Sequence, residues 1–173
     1  TSLLAGPLVA DGRIHVMDAD GVVSTLAEEG GRRLWRAETQ PADEDDRAVF
    51  VGGMTTGDGR LFVITGYGEA IAFDAATGKQ IWRVRLPAPA RGSPTFADGK
   101  LFAVTLDNQS VALSAADGAL IWNHSGITEI SALLGGPSPT YADGAVVMPY
   151  SSGELFVMRA ANGRILWADS LSR

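Results

Sequence analysis

The chain has 173 residues, a formal net charge of −6 and no cysteine. That length can bury a real core and suits one domain, and 46% hydrophobic with 20% charged residues excludes a disordered chain. No basic run exceeds Arg32-Arg33, which argues against nucleic-acid binding, and no apolar run approaches membrane-spanning length. The missing cysteines remove disulfides, thiolate metal sites and cysteine nucleophiles together. There is no signal peptide and no initial Met, so the sequence reads as a processed or excised segment.

Residues 1–4 form a short lead-in. The first predicted strand covers residues 6–10, with Pro7 near its start, where a sheet tolerates proline. Asp11-Gly12 predicts a tight hairpin turn. Strands follow at residues 14–17 and 22–26, hinged at Asp20-Gly21, and a fourth at residues 34–37. Four short strands with tight turns read as an antiparallel meander. Residues 40–51 then interrupt the pattern with Asp43-Glu44-Asp45-Asp46. Calcium loops alternate ligands with spacers and carry a glycine at the bend; this run does neither and reads as a solvated loop. The second unit opens at Met54-Thr55-Thr56 and the third at Ser93-Pro94-Thr95-Phe96, linked through Pro87, Pro89 and Arg91. Between the third and fourth units, residues 123–136 include Ile127, Ile130, Leu133 and Leu134. The fourth unit ends at Trp167.

The four units are copies. Residues 72–82 show the pattern at its fullest, ending Thr77-Gly78-Lys79-Gln80-Ile81-Trp82. The same step of four joins Gly31 to Trp35, Gly118 to Trp122 and Gly163 to Trp167, and the chain has no other tryptophan. Each Trp also lies 23 residues after the glycine of an Asp-Gly pair, at Gly12, Gly59, Gly99 and Gly144. Nine residues after that glycine stand Gly21, Gly68, Asn108 and Gly153. Asn best tolerates positive φ after Gly, so this slot predicts a left-handed residue. Successive tryptophans are 47, 40 and 45 residues apart, the period of propeller blades. Middle strands such as residues 61–64 and 101–104 are continuously apolar, which predicts burial on both faces and favours radial stacking of sheets over a simple sandwich. The predicted fold is all-β: a β-propeller segment of four antiparallel four-stranded blades, at about residues 6–39, 53–86, 92–125 and 136–170. The tryptophans are expected to anchor the packing. His15, in an apolar strand, is expected in the core, and His124, on an outer strand, is expected to face solvent.

Residues 72–82 closely resemble the tryptophan-docking repeat of the quinoprotein-like (PQQ-repeat) β-propellers. In that family each blade's Trp packs between neighbouring blades, against the turn of the adjacent motif. Only Asp74 keeps the motif's Asp; Ala27, Ser114 and Arg159 hold the slot elsewhere. Residues 63–69, 105–109 and 148–156 are similar to the BamB family, the lipoprotein propellers of the outer-membrane β-barrel assembly machine. The resemblance implies the N-terminal half of an eight-bladed propeller. It also implies a periplasmic, outer-membrane-associated scaffold without cofactor, whose protein partner is the machine's large barrel subunit. The family's lipid-bearing Cys is absent here, consistent with a truncated chain. A family loop with a Leu-x-Leu-Arg pattern contacts that subunit. Residues 131–134 match it only at Leu133 and lack the Arg, which makes Leu133 and Leu134 the candidate partner-binding residues.

The competing reading within the family is a PQQ-dependent alcohol or sugar dehydrogenase, or a sensor-domain propeller. A dehydrogenase needs a quinone pocket, a bound calcium, a catalytic Asp and usually paired cysteines. No nucleophile–base arrangement emerges from the spacing, and no catalytic, cofactor-binding or metal-ligating residue is assigned. Half a ring would leave the first and last blades with exposed apolar faces. Two copies are therefore expected to associate, as a ring of eight blades, in preference to closure of one copy at four.

Overall fold

The computed structural model describes residues 5–41, 52–90, 92–126 and 138–170. Among these residues, sixteen strands form four antiparallel sheets of four, each in chain order. Blade one is β1 (Leu8–Ala10), β2 (Arg13–Met17), β3 (Val22–Ala27) and β4 (Arg33–Glu38). Blade two is β5 (Gly53–Gly57), β6 (Arg60–Ile64), β7 (Glu69–Asp74) and β8 (Gln80–Arg85). Blade three is β9 (Thr95–Ala97), β10 (Lys100–Val104), β11 (Gln109–Ser114) and β12 (Leu120–Ser125). Blade four is β13 (Thr140–Ala142), β14 (Ala145–Pro149), β15 (Glu154–Arg159) and β16 (Ile165–Ser170). The opening strands start later than the sequence suggests in blades one and three. Pro7 and Pro94, which have no N–H for a ladder, stand before β1 and β9 instead of inside them.

The repeated turns do what their residues require. The four Asp-Gly pairs between the first and second strands have positive φ at both positions, from Asp11 (50°) and Gly12 (70°) to Asp143 (48°) and Gly144 (78°). This is the hairpin geometry whose twist matches that of the flanking strands. At the second turn Gly21, Gly68 and Gly153 are left-handed, and so is Asn108, at φ 57°. Between the third and outer strand of each blade the register slips by one residue, at Thr25/Leu26, Ala72/Phe73, Ala112/Leu113 and Val157/Met158. Such a bulge adds twist and re-aims the side chains beyond it. Here it leaves each Trp directly opposite a third-strand residue: Thr25, Ala72, Ala112 or Val157.

The first strands lie side by side in the order β1, β5, β9, β13, so the blades follow one another around a common axis. The hydrophobic core is divided into three clusters, each sandwiched between successive blades. Blades two and three are buried on both faces: Leu61 to Ile64 and Ala70 to Ala72 are fully enclosed. Blades one and four are buried on one face only, and their middle strands alternate between enclosed and half-exposed residues. No helix among the described residues is long and apolar enough to cross a membrane.

Candidate functional site

Three tryptophans make the same contact. The indole N–H of Trp35 donates to the Ala75 carbonyl at 3.0 Å, that of Trp82 to Ala115 at 3.0 Å, and that of Trp122 to Ala160 at 2.9 Å. Each acceptor lies three residues before the turn glycine of the next blade. Those glycines, Gly78, Gly118 and Gly163, are left-handed and lie under the docked ring. A Cβ there would come within 2.5, 2.8 and 2.7 Å of an indole carbon. The slot therefore needs glycine twice over, for its backbone state and for the close approach. Beneath each ring sits a second aromatic: Phe62 under Trp82 at 5.9 Å and Phe102 under Trp122 at 6.0 Å. Blade one puts His15 in that place, 6.2 Å from Trp35.

The fourth tryptophan differs. Trp35, Trp82 and Trp122 are 8–9% exposed, whereas Trp167 is 52% exposed, with Leu166 and Ile165 exposed beside it. The expectation that all four anchor the packing thus holds for three of them. Trp167 faces away from blade three, where these residues contain no further blade. At the opposite end the turn of blade one, with Gly31 at φ 65°, has no atom within 4 Å of where a Cβ would stand.

Polar ties supplement the apolar layers between blades. His15 Nδ1 and Thr25 Oγ1 are 2.7 Å apart in the interface of blades one and two. Burial, with a smaller contribution from Arg13, lowers the His15 pKa, and Asp11 opposes the shift. In blade two, Arg83 Nε lies 3.1 Å from Oε2 of buried Glu69, close enough for charge pairing although the N–H is not aligned as a hydrogen bond. The same guanidinium donates to the Thr39 carbonyl of blade one. Between blades three and four, Ser110 Oγ and the Tyr150 hydroxyl are 2.7 Å apart. Asn108 Oδ1 accepts from both the amide and the hydroxyl of Ser151. Burial raises the Tyr150 pKa, and its bond with Ser110 opposes the shift. The bonds of Arg83 to Thr39, Ser110 to Tyr150 and Ser151 to Asn108 cross between blades, whereas the His15–Thr25 and Glu69–Arg83 pairs lie within blades one and two.

His15 is in the core as expected, only 1% exposed. His124 is not simply solvent-facing: it is half-buried, with its ring 5.2 Å from Phe156 of blade four. It stands two residues after Trp122 on one strand, so it shares the face that packs on the next blade. The Asp74 carboxylate accepts bonds from the amides of Ala76 and Thr77 and from the Thr77 hydroxyl, closing its own turn, and also feels the charge of Arg13 in blade one. Those bonds lower its pKa. Leu133, Leu134 and the acidic run at residues 43–46 lie outside the described residues. Among the described residues, no group of three or more His, Cys, Asp or Glu side chains is placed to hold a metal ion. Sequence reading missed the Glu69–Arg83 and Ser110–Tyr150 pairs. Departures from the repeat gave the available signal: Ser110 stands where blades one and two have Val23 and Ala70.

A family model described as outer membrane protein assembly factor BamB matches residues 19–173. The chain belongs to that family. It is 30% identical over 91 residues to the outer membrane protein assembly factor BamB of Xanthomonas campestris, across 51% of this chain and 22% of that protein. It is 32% identical over 98 residues to the quinohemoprotein alcohol dehydrogenase of Comamonas testosteroni, across 53% of this chain and 13% of that protein. Among solved structures, BamB from Moraxella catarrhalis superposes with a TM-score of 0.86 at 19% identity, covering 98% of this chain and 49% of that one. The chain thus spans about half the length of that structure, and the likeness extends to the rotation from blade to blade.

Proposed function

We propose that this chain is a non-catalytic protein-interaction propeller that assists the assembly and insertion of β-barrel proteins into the bacterial outer membrane. It works at the periplasmic face of that membrane, without PQQ or calcium. Its partner is the large barrel subunit of the assembly machine, met through the connection that carries Leu133 and Leu134. The family match over residues 19–173 carries this reading. The buried polar groups support it, because His15, Glu69 and Tyr150 are all engaged with side chains inside the blade stack.

The test is site-specific photocrosslinking from positions 133 and 134 to the periplasmic part of the large barrel subunit. A crosslink from either position, weakened by charge at the other, is the expected result. Crosslinking no stronger than from an exposed control such as Glu29 would overturn the contact. The dehydrogenase reading draws on the 32% identity to the quinohemoprotein enzyme. Dye-linked alcohol oxidation above a no-protein control, after adding PQQ and calcium, would establish that reading and displace the first.

A further inference from the structure

Each blade ends in an outer strand with one open edge, and the four edges are not alike. Among the described residues no strand pairs with the outer side of β4, β8, β12 or β16. Backbone N–H and C=O groups point alternately to the two sides of a strand, so every second residue offers a donor and an acceptor outward. The ladder tells which. Gly126 N donates to Asn108 O, and Ser110 stands opposite His124. By alternation from Gly126, His124 and Trp122 turn their backbone groups towards β11, while Asn123 and Ser125 turn theirs outward. The same step, from Thr39 N on Gly21 O and Leu86 N on Gly68 O, puts Arg36 and Glu38 on the edge of blade one and Arg83 and Arg85 on that of blade two.

Charges at such positions deter a further strand, because pairing would strip them of water. Arg36 and Glu38 also pair with each other along their edge, at 3.8 Å. β16 carries the exposed Asp169. β12 reads Leu-Ile-Trp-Asn-His-Ser, with no Asp, Glu, Lys, Arg or Pro. Its outward residues Asn123 and Ser125 are exposed, and so are Leu120 (53%) and Ile121 (41%) at its start. Blade three has a core cluster on each face, so this edge belongs to the perimeter and not to a contact between blades. An open ladder, no fixed charge and apolar side chains beside it are what strand addition uses.

We propose that the outer edge of blade three takes up an extended, uncharged strand of a client protein. It pairs as a fifth strand with Asn123 and Ser125 and lays apolar side chains beside Leu120 and Ile121. A neutral edge fits a neutral strand, since neither leaves a charge without water. The client is a transmembrane strand of an unfolded barrel protein, which alternates apolar and polar residues over about ten positions. That identification rests on the assembly role proposed above.

Fluorescence anisotropy of the 173-residue chain with a labelled, end-capped peptide of alternating Leu and Ser, about ten residues long, tests this. Saturable binding is expected. Methylating the amide of every second residue blocks one edge of the peptide. One of the two alternately methylated peptides should bind like the parent. The other should bind at least about tenfold more weakly, the effect of losing two or more backbone bonds. Asn123→Arg with Ser125→Arg, which copies blade two, should weaken binding by a similar factor. Ser125→Pro should also weaken it, because proline there removes an outward donor and no bond to β11. The circular dichroism and urea midpoint of these variants should match the parent. No saturable binding, equal binding of the two methylated peptides, or binding indifferent to the edge variants would overturn the proposal. So would flotation with phosphatidylethanolamine–phosphatidylglycerol vesicles that the edge variants abolish while the peptide stays unbound, which would assign the edge to a lipid surface. Peptide binding without a crosslink from positions 133 and 134 would keep the edge site and remove the barrel-subunit contact; a crosslink without peptide binding would do the reverse.

Discussion

Blades two and three and blades one and four are built from the same repeat, yet they hold their residues differently. In the inner pair both faces of the sheet are covered, and Trp82 and Trp122 are 8% exposed. In the outer pair one face is covered, and Trp167, in the same slot of the same motif, is 52% exposed. The motif therefore does not stabilise a blade by itself. It stabilises a junction, and its energy appears only when the next turn is present. Stability in such a stack is a sum of blade terms and nearest-neighbour interfaces.

The largest expected effect follows directly. Trp82→Ala removes an enclosed indole from the core cluster of blades two and three and removes one of the two donors to the Ala115 carbonyl, leaving the Arg60 guanidinium. The cost should be roughly 3–5 kcal/mol, as for other buried aromatics. Trp167→Ala, measured dilute enough to keep copies apart, should change stability by about 0.5 kcal/mol or less, as at other exposed positions. Urea melts of the two variants check this. Equal midpoints would show that the motif acts within a blade after all.

The turn glycines sharpen the contrast. Gly118 is left-handed, and an added Cβ would stand 2.8 Å from the Trp82 ring. Gly31 is left-handed as well, with open space around it. Alanine at either position carries a backbone cost of about 1–2 kcal/mol. Gly118→Ala should carry roughly 1–3 kcal/mol more for the overpacked ring. The gap between the two midpoints measures the close approach separately from the backbone.

The fold was largely legible because spacing is local information. An Asp-Gly turn, a glycine or asparagine nine residues later and a Trp at residue 23 define each blade without reference to any other part of the chain. Asn108 was interpretable because only one backbone state suits both Gly and Asn. The contacts between blades were legible only in outline. That each Trp meets a neighbouring turn came from family resemblance; that the acceptor is the carbonyl of Ala75, Ala115 or Ala160 required coordinates. The place of His124 follows from its two-residue step past Trp122, because side chains two apart on a strand share a face and the Trp122 face packs on blade four. The polar ties were illegible for a physical reason. Ser110 and Tyr150 are 40 residues apart, and nothing in either neighbourhood announces the other.

The smallest effect separates the first interface from the second. Phe62 and Ala72 lie under and opposite Trp82; His15 and Thr25 hold those places at Trp35. The imidazole is enclosed and its pKa is lowered from the ordinary 6.5, chiefly by burial. In the unfolded chain the ring takes up a proton near that ordinary value, while in the folded chain it resists protonation until lower pH. Below pH 6.5 the unfolded state therefore binds more protons, and stability falls as pH drops from there towards the folded pKa. Above 6.5 both states are neutral and this contribution is fully present. His15→Phe, which copies the second interface, should abolish that part of the pH dependence. The check is the difference in urea midpoint between about pH 7.5 and pH 5, in the parent and in the variant. Groups other than His15 are common to both proteins, so a smaller drop in the variant reports His15. Parallel curves would mean that the folded interface accepts the charged imidazole, against the cost that burial imposes on it.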